Sequence, residues 1–185
     1  MATKFDVERF VDDVKRARTV GNGQAAVQDV LARAVSDPRA VVLGLGEPAG
    51  PGLHTLHRAD DLTILNVVWS PLMVLLPHNH NMWATIGIYT GREDNIVWTR
   101  ADRKIRASGS ASLSEEDVFS LPADAIHSVI NPIERLTGAI HIYGGDFFGV
   151  HRSEWNPETL LERPFDLEAT RKTFRDADER FKAGH

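Results

Sequence analysis

Apolar and polar residues alternate along this chain in two different rhythms. Over residues 3–36 the rhythm is helical. Phe5, Phe10, Val11 and Val14 recur with charges between them, and Thr3 is the expected cap. Val20-Gly21-Asn22-Gly23 breaks the pattern. A second helix follows, with Ala26, Val27, Val30, Leu31 and Ala34 on one stripe. Asp37-Pro38 reads as a cap followed by proline at the first helical position, and this third helix ends near Gly44–Gly46. GEPAGPG (46–52) is a loop.

From about 53 to 155 short alternating runs replace the stripes. Strands are predicted near 53–57, 62–69, 72–78, 82–90, 95–100, 104–110, 116–120, 125–130 and 138–143, with SP, TGRED and NP as turns between them. Many short strands point to a barrel or sandwich. The tail at 166–182 returns to a charged helical pattern, with Phe174 and Phe181 as anchors and His185 as a loose chain end. The organisation read from this is a helical segment at 1–52, a barrel at 53–160 and a helical tail at 161–185, in a single domain.

Composition narrows the chemistry. The 185 residues are 42% hydrophobic and 25% charged, an ordinary globular balance. Cysteine is absent, which excludes disulfides, thiolate metal sites and a cysteine nucleophile. The net charge of −5 argues against nucleic acid as a partner. No apolar run approaches the roughly 20 residues of a membrane span. The opening MATKFDVERF has acids where a secretion signal carries bases, so a cytoplasmic location is expected.

Eight histidines remain to be explained. His78 and His80 are two apart, so in a strand both rings face one side. Such a pair is also common in packed or solvated positions. A second segment, LPADAIHSVINP (121–132), carries His127 among aliphatic neighbours, with Asn131 four residues on. A third, GAIHIYGGDFFGVHRSEWNP (138–157), places His141 and Tyr143 on one face and Ile140 and Ile142 on the other. His141 and Tyr143 are also readable as a satisfied polar pair. Arg152 is also readable as an ion-pair partner of Asp146 or Glu154. His54 and His57 read as surface or sheet histidines, and Asn131 as a turn residue beside Pro132.

The first two segments resemble the two motifs of the cupin superfamily. His78, His80 and Gly91 match the first; Pro122, His127 and Asn131 match the second, with Asp124 in place of a glycine. The resemblance covers roughly residues 60–150. It implies a mainly β fold, the double-stranded β-helix, with the N-terminal helices and the C-terminal helix added to it. It also implies a metal held by His78, His80 and His127. The usual cupin glutamate is missing: Ala84 and Thr85 stand where it would fall. Three neutral ligands leave a divalent ion its full charge and open positions.

The third segment is similar to the thiol dioxygenase branch of cupins, the cysteine and 3-mercaptopropionate dioxygenases. His141 and Tyr143 match two members of that branch's Ser-His-Tyr relay, with Ala139 where the serine would be. Arg152 matches its carboxylate-binding arginine, and Trp83 its His-x-x-Trp. The resemblance implies Fe(2+) as cofactor and a small thiol plus dioxygen as substrates, with Tyr143 and His141 catalytic and Arg152 and Trp83 substrate-binding. A homodimer is expected by analogy. Without the serine, another group must orient His141. Two other functions share the motifs: a three-histidine cupin cleaving another substrate such as a diketone, and a non-enzymatic cupin binding metal or ligand.

Overall fold

The computed structural model describes residues 4–184; Thr3 and His185 lie outside them. Three helices come first: α1 (Val7–Arg18), α2 (Gly23–Val35) and α3 (Pro38–Leu45). Asp6 caps α1, its carboxylate accepting from the Arg9 backbone N–H. Asp37 caps α3 in the same way, with Pro38 in the first turn.

Eleven strands follow: β1 (Gly52–Ala59), β2 (Leu62–Trp69), β3 (Val74–Asn79), β4 (Ala84–Thr90), β5 (Arg92–Ala101), β6 (Lys104–Ser114), β7 (Val118–Leu121), β8 (Ile126–Ile130), β9 (Thr137–Tyr143), β10 (Ser153–Trp155) and β11 (Glu162–Pro164). A last helix, α4 (Leu167–Lys182), completes the described chain. The strands form two antiparallel sheets, ordered β1-β2-β9-β4-β7 and β11-β10-β3-β8-β5-β6. This is the double-stranded β-helix expected from the sequence.

Period-two alternation sorts the side chains of the five-stranded sheet. Leu65, Val67 and Trp69 of β2 and Ile86 and Ile88 of β4 turn inward to the barrel core. Ile64, Tyr89, Ile140 and Ile142 turn outward, where Val14, Val27 and Leu31 of the helices cover them. That apolar outer face is why the helices dock there. Gly87 is part of the fit, because a Cβ at this position would meet the Leu31 side chain at 2.8 Å. On the other side α4 sends Phe174 and Ala177 into the barrel core. Phe174 is thus the anchor expected; Phe181 is only half-buried.

One turn differs from the sequence expectation. TGRED was predicted as a turn, but only Gly91 makes it, at φ 86, and β5 begins at Arg92. Glu93 therefore lies inside a strand.

Candidate metal centre

β3 and β8 pair antiparallel with His78 directly opposite His127. His80 follows two residues after His78, just past the end of β3. All three rings are buried and converge. His80 Nε2 lies 3.1 Å from His78 Nε2 and 3.3 Å from His127 Nε2. Bonds of about 2.1 Å to a shared ion, at angles between right and tetrahedral, would set ligand nitrogens roughly 3.0–3.4 Å apart. The spacing fits one metal ion.

Protonation points the same way. His78 Nδ1 lies 2.8 Å from the Leu76 carbonyl, which can only accept, so the ring's hydrogen sits on Nδ1 and Nε2 offers a lone pair. Burial, followed by the charge of Arg152, lowers His78 to about 3. Burial also holds His80 and His127 well below the ordinary imidazole value, with neighbouring histidines adding to the effect. The three rings are therefore held neutral, the form in which an imidazole binds a metal.

This has a consequence for stability. In the unfolded chain these histidines return to the ordinary value of 6.5. Below that pH the unfolded state binds protons that the native state refuses. The metal-free protein should keep full stability above about pH 6.5 and lose it as pH falls toward 3, at up to about 1.4 kcal/mol per pH unit for each histidine. Denaturant midpoints of the chelator-treated protein at pH 7.5 and pH 5 measure this; equal midpoints would contradict it.

Beside the ligand set, His141 and Tyr143 of β9 face inward. His141 Nδ1 lies 3.0 Å from the Tyr143 hydroxyl, and the Tyr143 ring packs edge-on against His80 at 4.9 Å. Burial pushes the Tyr143 phenol well above its usual range. The group that orients His141 is Glu93, whose Oε2 lies 3.3 Å from His141 Nε2. Glu93 is fully buried; Trp69 donates to Oε2 at 2.8 Å and Asn95 to Oε1 at 2.9 Å. Asn95 Oδ1 in turn lies 2.7 Å from His127 Nδ1. Sequence reasoning missed Glu93 and Asn95. Their signal was parity, since both share one face of β5 once the strand begins at Arg92.

Arg152 is brought to the centre by the residues around the histidine pair. Asn79 accepts from the Ser153 backbone N–H, and Asn81 donates to the His151 carbonyl. The chain on both sides of Arg152 is thus tied to the His78–His80 segment. The guanidinium lies 4.0 Å from the ring centres of both Phe147 and Phe165. It is buried, and its Nη1 has no hydrogen-bond partner among the described residues. Burial draws it down to about 10, so it stays charged at neutral pH. The alternative ion pairs are ruled out: Asp146 pairs with Arg58, and Glu154 with Arg163.

Trp83 is not brought to the centre. Ala84, Ile86 and Ile88 face the barrel, so Trp83 falls on the opposite face, against the helix-side cluster and Gly144. Phe147, by contrast, is a neighbour of both Tyr143 and Arg152. His54 is exposed and His57 half-buried, away from the cluster. Asn131 holds the loop rather than the centre, donating to the carbonyls of Ser70 and Arg135. A cavity of about 20 Å³ lies among His78, His80, His127, His141 and Tyr143, closed by Phe147, Phe165 and Phe174.

No protein-family model matches the chain. Among solved structures it is similar to an RmlC-like cupin family protein from Methanocaldococcus jannaschii, with 11% identity over 52% of this chain and 82% of that one and a TM-score of 0.43. It is also similar to the protein TT1209 from Thermus thermophilus, with 13% identity, 54% and 87% coverage and a TM-score of 0.44. An oxalate oxidase in complex with the substrate analogue glycolate shows 14% identity, 54% and 53% coverage and a TM-score of 0.42. The metal reading rests on the ring geometry and not on these likenesses.

Proposed function

We propose that the protein is an iron-dependent dioxygenase that converts a small mercapto-carboxylate to its sulfinate. The observation that carries this reading is Arg152. A buried guanidinium with a free Nη1, held next to three neutral ligands, lacks the anion that its burial calls for. A substrate carboxylate supplies it. The ligand set supports the same reading, because among the described residues no carboxylate joins the three histidines.

Held by His78, His80 and His127, a ferrous ion would supply adjacent positions for thiolate and dioxygen and a path for electrons between them. Overall the thiol sulfur loses four electrons and dioxygen gains them. The O–O bond breaks, both oxygens bond to sulfur, and the thiol proton is released. No outside reductant is needed.

The residues of the chain place and shield these partners. Arg152 grips the carboxylate and so fixes the length between acid and sulfur. Tyr143 offers its hydroxyl to the sulfur or oxygen beside it, and His141 holds that hydroxyl in place. Phe147, Phe165 and Phe174 exclude water. A cavity of about 20 Å³ holds little more than one water, so a bound substrate would have to displace side chains that line it.

Tyr143→Phe should lower kcat roughly 10–100-fold with little change in KM, since one hydrogen bond to a charged group is lost at the reacting atoms. Steady-state oxygen uptake measures the split. The reading itself is tested by oxygen uptake of the ferrous protein with 3-mercaptopropionate, cysteine and a β-diketone. The expected result is one sulfinate per dioxygen with a thiol acid and no diketone turnover. Diketone cleavage, or no turnover at all, would overturn it.

A further inference from the structure

The family resemblance assigns no role to Glu93, and Glu93 lies outside the ligand set, yet it touches His141 and reaches His127 through Asn95. We propose that Glu93 is a positioning residue that fixes which ring nitrogen bears hydrogen on both His127 and His141, joining a metal ligand to the tyrosine relay. The inference rests on the three-histidine centre of the preceding reading and needs nothing of the thiol chemistry.

Donors and acceptors decide the tautomers. A carboxylate can only accept. His141 Nε2, 3.3 Å from Glu93 Oε2, must therefore carry the hydrogen of its ring. His141 Nδ1 is left as an acceptor, and the Tyr143 hydroxyl donates to it at 3.0 Å. The phenol hydrogen rests on His141, and a charged acceptor placed beside the hydroxyl would draw it away.

On the other oxygen, Asn95 gives its amide N–H to Glu93 at 2.9 Å, which turns the amide carbonyl to His127. That carbonyl, 2.7 Å away, requires the hydrogen on His127 Nδ1. His127 Nε2 then offers its lone pair to the point where the three rings converge, as a ligand must. One carboxylate thus does the orienting work of the missing relay serine and also sets a ligand's tautomer. Outer partners of this kind tune ligand orientation and basicity.

Glu93→Gln separates this role from simple packing, since it keeps the volume and removes one acceptor. The Trp69 indole only donates, so the amide oxygen of the glutamine must stay at the Oε2 position, where it also serves His141. The new amide N–H then faces Asn95, whose amide has to turn over, placing its own N–H against His127 Nδ1. His127 must move its hydrogen to Nε2, where it opposes a metal.

The test is two-bond 1H–15N correlation of the metal-free protein labelled in histidine, together with zinc affinity by competition with a chromogenic chelator. The natural protein should show hydrogen on Nδ1 of His127 and on Nε2 of His141. Glu93→Gln should reverse His127, leave His141 unchanged, and lower zinc affinity about 10–100-fold. The opposite tautomer of either ring in the natural protein would overturn the proposal, and that reading stands even if the variant does not fold. So would a folded variant with both rings unchanged. Neither readout involves thiol or oxygen, so failure here is distinct from failure of the sulfur reading.

Discussion

Each of His78→Ala, His80→Ala and His127→Ala lowers affinity for a divalent cation by well over 100-fold. Removing only an outer partner of a ligand costs about 10–100-fold, and these changes remove a ligand itself. Three nitrogens, two of them 3.1 and 3.3 Å from the third, act as one unit, so no single loss is tolerated. His54→Ala, on the exposed face of β1, should leave affinity unchanged. Equilibrium dialysis against Fe(2+) under argon, or zinc competition, measures the series. The same alanine variants should also be less sensitive to acid when metal-free, because each removes a buried ring that refuses a proton.

Arg152→Met raises KM for a mercapto-carboxylate on the order of 100-fold, far more than for a thiol of the same length without the acid. Breaking a buried charge pair costs about 3–5 kcal/mol, and each 1.4 kcal/mol is a factor of ten. Some of that is recovered in this site, because methionine still packs between Phe147 and Phe165 and leaves no charge behind. Alanine would confuse the result by emptying the space between the rings. Steady-state kinetics with 3-mercaptopropionate and with propanethiol provides the comparison. An equal rise for both thiols would remove Arg152 from substrate binding.

Much of this centre was legible in the chain because strands alternate with a fixed period. His78 and His80, like His141 and Tyr143, could be placed on one face from spacing alone, and β3, β8 and β9 then brought those faces together. The same parity sent Ile140 and Ile142 to the helices. The helical segments were equally plain, down to the Asp37-Pro38 start of α3.

What stayed hidden depended on partners distant in sequence. Glu93 sat in a stretch of glycine and charges that local chemistry reads as a turn. Only the three strands β2, β5 and β9, supplying Trp69, Asn95 and His141, make a buried carboxylate tolerable there. Trp83 was drawn toward the site by a motif, while its parity with Ala84 put it on the other face. Strands β10 and β11 are three residues each, too short to show alternation. They nonetheless flank the chain that carries Arg152 past His78, with Glu154 opposite His78.

The most direct single measurement is an X-ray absorption spectrum of the anaerobic protein loaded with one equivalent of Fe(2+), recorded before and after 3-mercaptopropionate. The expected spectrum shows three imidazoles with no carboxylate of the chain, and the thiol adds one sulfur neighbour at about 2.3 Å. Fewer imidazoles, a carboxylate completing the sphere, or no sulfur on adding the thiol would contradict the proposed centre.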